Sequence, residues 1–273
     1  MKKALVVLSV LALLAMVSTS AFAERWGKPG ANLAKGQWSL GLEYNYIEET
    51  LDFSVPSGVS PLLPLNGEHQ AVRNQLLVRA GYGLTDQLEG FIKMGGTSTD
   101  INEAFVSGGG DQGLGSLEFN QDLVGNMEFT IVGGLAYTIL QQGDFRLGAV
   151  GQFSYFETND TGEARVYPGM TINQGIDANV FKFEGALLAS YTLGKFTPYG
   201  GICMLISDSD ARYRAYDSSV RPYALLDINL DQEEWFGGVC GLSCAVTDNV
   251  RIGIEMTGVS EGVGLSTGVT IAL

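Results

Sequence analysis

Basic residues are scarce in this chain of 273: 16 Lys and Arg stand against 30 Asp and Glu, giving a formal net charge of −14. That balance offers no electrostatic footprint for nucleic acid and no polybasic patch for anionic lipid. Histidine occurs once, at His69, so the chain holds a single candidate imidazole base. Cysteine is limited to Cys203, Cys240 and Cys244. On one strand Cys240 and Cys244 would lie roughly 13 Å apart, too far to bridge, and Cys203 has the opposite parity. No disulfide is expected, and Cys-x3-Cys without further ligands is not a zinc site. Long apolar runs are missing too, apart from one at the N-terminus, so no membrane helix is expected beyond it.

That one run reads as a secretory leader. Lys2 and Lys3 form a basic start, Ala4 to Val17 an apolar stretch too short to span comfortably, and Ala21-Phe22-Ala23 a cleavage site. Residues 1–23 are expected to be removed, so that the mature chain begins near Glu24. No cysteine follows the run, which argues against a lipoprotein anchor. Loss of Lys2 and Lys3 takes the formal charge from −14 to −16. The roughly 250 remaining residues suit one all-β domain or two ordinary globular ones. With 37 Gly, 13 Phe, 11 Tyr and only 17% charged residues, the composition favours the first.

What fills the rest is alternation with a period of two, interrupted by turn residues. Ten strand-like segments cover about 37–47, 74–84, 88–97, 127–140, 145–156, 180–193, 196–206, 235–246, 250–258 and 263–273. Sorted by parity, one face of these segments is apolar throughout. It begins Trp38, Leu40, Leu42, Tyr44, Tyr46 and ends Val263, Leu265, Val269, Ile271, Leu273, with no charge in any strand. The other face carries Glu43, Arg79, Glu89, Lys93, Glu128, Arg146, Lys182, Glu184, Arg251 and Glu255, among Ser, Thr, Gln and Gly. Five acids and five bases balance there, while the connections are strongly acidic. A soluble sandwich would also alternate, but its outer face would not be so rich in glycine or so neutral in sum. The pattern predicts lipid outside and a polar, ion-paired lumen inside. The expected fold is all-β: a closed antiparallel up-and-down transmembrane barrel of about ten strands over residues 37–273, with eight or twelve as alternatives. Residues 24–36 form a periplasmic segment ahead of it.

Connections alternate in length as well. Those at 85–87, 141–144, 194–195 and 247–249 are short, whereas 48–73, 98–126, 157–179 and 207–234 are long. Short periplasmic turns and longer external loops would produce this alternation. Aromatic residues gather near strand ends on the apolar face, among them Tyr46, Tyr82, Phe145, Tyr155, Tyr191, Phe196 and Phe236, as interfacial girdles do.

On these residues the chain resembles the small outer-membrane β-barrel superfamily that includes OmpA-, OmpX- and OmpW-like proteins. The resemblance is carried by Tyr82-Gly83-Leu84-Thr85-Asp86-Gln87-Leu88-Glu89, by Val246-Thr247-Asp248-Asn249-Val250 and by the closing strand Val263 to Leu273. It implies a bacterial outer-membrane location, lipid and lipopolysaccharide as surroundings, and the barrel-insertion machinery as a partner. In that superfamily the last strand ends in an aromatic residue that addresses the machinery. Here Leu265, Val269, Ile271 and Leu273 keep the alternation, but the terminal residue is Leu.

Chemical motifs are sparse. His69 with an acid such as Asp210 can be drawn as a dyad, yet a lone loop histidine is ordinarily solvated. Gly108 to Gly115 lacks the lysine and the strand–helix setting of a phosphate loop. Asp208-Ser209-Asp210 lacks the later residues of a calcium loop, although acidic loops can hold divalent cations weakly. No enzyme activity, cofactor or resident metal is expected. The leading functional expectation is a barrel whose lumen is largely filled by side chains, with a structural or surface-interaction role through its acidic loops. A narrow porin-like channel is the alternative, and an outer-membrane hydrolase a weak third.

Overall fold

The computed structural model describes residues 27, 29–53, 67–102, 106–108, 117–119, 124–166, 170–217, 222–260 and 262–273; the expected leader lies outside them. Among the described residues there are thirteen strands: β1 (Trp38–Phe53), β2 (Gly67–Gly83), β3 (Leu88–Asn102), β4 (Val106–Gly108), β5 (Leu117–Phe119), β6 (Val124–Gly125), β7 (Glu128–Gln142), β8 (Phe145–Val166), β9 (Met170–Tyr191), β10 (Phe196–Asp217), β11 (Pro222–Ala245), β12 (Val250–Val259) and β13 (Gly262–Ala272). Ten of them build the wall in the order β1–β2–β3–β7–β8–β9–β10–β11–β12–β13. Every neighbouring pair is antiparallel, and β13 returns to pair with β1 from Ser39↔Ala272 to Glu49↔Gly262. The result is a closed up-and-down barrel. β4 and β5 form a small hairpin outside the wall, and β6 pairs briefly with β8.

Local chemistry explains the tight turns at one mouth of the barrel. Thr85 Oγ1 accepts hydrogen bonds from the backbone of Gln87 and Leu88, at 3.2 and 3.0 Å. Thr247 Oγ1 does the same for Asn249 and Val250, at 3.3 and 3.0 Å. A short hydroxyl side chain that satisfies the turn's own amides is what Leu-Thr-Asp-Gln-Leu and Val-Thr-Asp-Asn-Val share. The other two turns use Gly143 and Gly194 at positive φ, where a Cβ would strain the backbone. Both described ends of the chain lie at this mouth, called the turn mouth below.

The outer face is as apolar as its parity. Ile202 is 67% exposed and Phe236 70%, with Leu76, Val78, Met94, Phe129 and Phe153 among many others open to the surroundings. A continuous belt of such residues is stable in hydrocarbon, not in water. Its upper edge is marked by charges on the same face, Glu48, Asp100, Glu157 and Asp208. Tyrosines sit at that edge: Tyr44 donates to Asn74 Oδ1 at 2.6 Å, and Tyr155 to Glu157 Oε1 at 2.8 Å. At the turn mouth Trp38 and Tyr82 pack ring against ring, 4.7 Å between centroids. Aromatic groups with one apolar and one polar side fit both interfaces.

The strands differ from expectation in length. β8 to β11 run 22 to 24 residues, although about ten suffice to cross the hydrocarbon. Much of the sequence read as long loops is therefore strand: β8 and β9 are separated by residues 167–169 alone, and β10 and β11 by 218–221. The apolar outer pattern ends at that polar edge, but backbone pairing continues beyond it. His69 and the Asp208–Asp210 stretch, read as loop, likewise have their backbones in β2 and β10.

Candidate functional site: the lumen

Inward-facing side chains meet in two tiers. The lower tier, nearer the turn mouth, comes from β1, β2 and β3. Register sets Arg79 directly opposite Lys93, a like-charge pair that is unfavourable alone. Two carboxylates resolve it. Arg79 Nη2 reaches Glu89 Oε1 at 2.6 Å and its Nε lies 3.8 Å from Glu43 Oε1, while Lys93 Nζ reaches Glu43 Oε2 at 2.8 Å. Phe91 lies beneath both cations, 4.7 Å from the Arg79 guanidinium carbon and 5.2 Å from Lys93 Nζ. Glycine makes room for these rings, since a Cβ on Gly134 would overlap Phe91 and one on Gly241 would overlap Tyr199. Tyr199 in turn donates to Glu255 Oε2 at 2.9 Å.

The upper tier crosses the lumen. Glu49 on β1 binds Arg73 on β2 and also takes Lys182 Nζ of β9 at 3.2 Å. β1 and β9 are five strands apart whichever way round the wall is followed, so Glu49–Lys182 is a bar across the full width of the barrel. Phe156 of β8 lies under both cations, 4.6 Å from Arg73 and 5.8 Å from Lys182. The side chains of Glu49 and Lys182 are 2% and 5% exposed. Between the tiers a polar ladder joins Asn45, Gln75, Thr97 and Thr130 across four adjacent strands, and Gln152 donates to Glu184.

Residues 29–36, ahead of the first strand, form a strap within the turn mouth, where Pro29, Ala31 and Leu33 are buried. Ala31 N–H donates to Thr138 Oγ1 at 3.0 Å, and Asn32 N–H to Glu89 Oε2 at 2.8 Å. A bulge in β7 follows Thr138 and leaves Ile139 and Leu140 both outward, which ends the inner row on the hydroxyl that the strap uses. Gly148 is required opposite the strap, because a Cβ there would overlap the Gly30 nitrogen. The backbone satisfies charges that side chains alone would leave to water.

Placement of the expected charged residues is therefore uneven. Glu43, Arg79, Glu89 and Lys93 form one network, and Lys182 belongs to another, two residues from Glu184 on β9. Arg146, expected in a cross-strand ion pair, instead donates to the Ala31 carbonyl at 2.8 Å and to Gln141 Oε1 at 3.1 Å. Arg251 lines a cavity of about 170 Å³ between the strap and the lower tier. Glu128 begins β7, opposite Thr97 of the polar ladder. Glu49, Arg73 and Phe156 were outside the expected set, although Glu49 shares parity with Glu43 and Arg73 with Arg79. Leu265 and Leu273 are exposed on the outer side of the closing strand, with Val269 and Ile271 half-buried. The backbones of His69 and Asp210 stand on β2 and β10, five strands apart in either direction. Among the described residues no three His, Cys, Asp or Glu side chains gather as a metal site would require.

No family model matches the chain, and no curated protein does. Solved structures with a similar course exist at low identity. The outer membrane protease OmpT from Escherichia coli is 12% identical, with 87% of this chain and 96% of that chain covered and a TM-score of 0.49. The translocator domain of the autotransporter NalP from Neisseria meningitidis is 8% identical over 86% and 88%, with a TM-score of 0.47. Outer membrane protein OprG from Pseudomonas aeruginosa is 11% identical over 88% and 97%, with a TM-score of 0.40. The closed ten-stranded architecture itself rests on this chain's own strand pairing.

Proposed function

We propose that this protein is an outer-membrane β-barrel with a closed lumen, serving the envelope as a structural or surface-interaction element and not as an open conduit or an enzyme. The observation that carries the reading is the Glu49–Lys182 bar, completed by Arg73 and Phe156. Space tells in the same direction. Above the lower tier two voids of about 20 Å³ each lie among the described residues, room for about one water apiece. A conducting pore needs sites linked end to end and weak enough to leave, whereas these charges are consumed by one another. The outward Leu265, Val269, Ile271 and Leu273 of β13 supply the address for the insertion machinery, with lipid and lipopolysaccharide around the belt. The strands of β8 to β11 that project beyond the lipid belt offer the surface for external contacts.

Reconstitution of the refolded protein in planar bilayers tests this. A silent bilayer is expected, with protein insertion verified by a heat-modifiable band. Steady openings of fixed size would establish the narrow-channel alternative instead.

A further inference from the structure

The lower tier balances itself, Arg79 and Lys93 against Glu43 and Glu89, but two more cations stand between it and the rim. Arg146 is the second residue of β8 and Arg251 the second of β12, four strands apart in the wall. Arg146 is held by the Ala31 carbonyl and by Gln141, both neutral. Arg251 lines the cavity of about 170 Å³ and makes no hydrogen bond or ion pair among the described residues. Its charge acts on Arg146 more strongly than that of Glu89 does, so the two guanidiniums repel each other beside the strap. The cavity suits a polar guest. Gly253 stands opposite Gly268 in register, next to the Arg251–Thr270 pair, and the inner wall carries no side chain there. Ser39, Ser243 and Thr270 add hydroxyls around it. Arg79 donates to the Ser39 oxygen at 3.4 Å, which leaves the Ser39 proton to be donated elsewhere. The space holds several waters or one small ion. Asp248 and Asn249 of the β11–β12 turn also line it and are exposed, so it opens at the rim. Water screens the Asp248 charge there, whereas Arg251 is half-buried.

We propose that this cavity binds one small oxyanion of the phosphate class, held by the Arg251 guanidinium and the hydroxyls of Ser39, Ser243 and Thr270. A guanidinium presents two parallel N–H donors to such an oxyanion, and these charged bonds are stronger than neutral ones. The hydroxyls approach from other sides, as a tetrahedral guest requires. Arg146 contributes charge from beside the strap and not contact. Glu43 and Glu89 line the same space, but each is matched already by Arg79, with Lys93 on Glu43 and the Asn32 amide on Glu89. The guest supplies the negative charge that the two rim arginines are without, since half-buried like charges are costly until an opposite one joins them. The site lies beside the lower tier, so it does not depend on whether the Glu49–Lys182 bar closes the lumen. A barrel that serves the envelope structurally thereby also carries a ligand at the mouth of its short turns.

Calorimetric titration of the refolded protein with inorganic phosphate, in non-ionic detergent and at constant ionic strength set by chloride, tests the site. One equivalent should bind saturably. Arg251→Gln should weaken binding about tenfold or more. Arg251→Lys should lose less, because it keeps the charge and gives up only the fork. Lys195→Gln removes an exposed cation from another turn of the same mouth and should leave the affinity unchanged. Arg251 has no partner to lose among the described residues, so Arg251→Gln should keep the heat-modifiable band and, without phosphate, the urea midpoint. Absence of saturable binding to the intact protein would overturn the proposal, as would equal affinity in Arg251→Gln. An Arg251→Gln chain that no longer folds would make Arg251 a structural group and overturn it too. An equal loss in Lys195→Gln would show general charge at the rim and no site.

Discussion

The two tiers of the lumen solve one problem in different ways. In the upper tier Glu49 is shared by Arg73 and Lys182 over the Phe156 ring, with side chains alone and beside them a void of about 20 Å³, room for about one water. The lower tier has two acids for its two bases, and it still recruits the Asn32 amide to Glu89 and faces a cavity of about 170 Å³. A buried charge must be matched wherever it lies, since an ion left alone in a low-dielectric interior is costly. Where water is shut out, side chains must do all of the matching. Where the mouth admits water, backbone and solvent take a share, and loss of one partner is correspondingly milder.

That contrast can be broken by substitution. Glu49→Gln removes the carboxylate held by both upper cations, and should destabilise the refolded barrel by about 3–5 kcal/mol. Urea unfolding followed by the heat-modifiable band measures it; a loss below about 1 kcal/mol would mean the bar does not hold the lumen. Glu43→Gln is expected to be milder, about 1–3 kcal/mol, because Arg79 keeps Glu89 and the cavity lets water approach Lys93. Should the same titration rank Glu43→Gln above Glu49→Gln, the distinction between the tiers falls. The smallest effect is expected of Thr138→Val, which takes the acceptor from Ala31 N–H for about 1 kcal/mol. It should quicken exchange at Ala31 while leaving the unfolding midpoint of the barrel almost unmoved, and a large midpoint shift would show that the strap is integral to the wall.

Particular residues show how far the sequence could be read. Leu40, Leu42 and Tyr44 alternate with Glu43 and Asn45, and that local pattern alone separates the outer face from the lumen. Glu49 and Arg73 escaped the same reading because the outer face turns polar at Glu48 and Asn74, so the apolar signal that defined each strand had already stopped. Pairing outlasts it, with Glu48 still opposite Val72 and Val263. The strap escaped for another reason. Pro29, Gly30 and Ala31 show no periodicity, and their partners lie as many as 115 residues away, as with Arg146 and Ala31.

The barrel class and the face each side chain takes follow from local chemistry: turns that satisfy themselves, and a period of two that backbone geometry imposes. Closure decided the rest. Only when β13 meets β1 do β1 and β9 come to face each other across the lumen, bringing Glu49 within 3.2 Å of Lys182. Which charges become partners, and where the strap finds its acceptors, depends on the stagger and diameter of the whole ring, quantities that no single strand encodes.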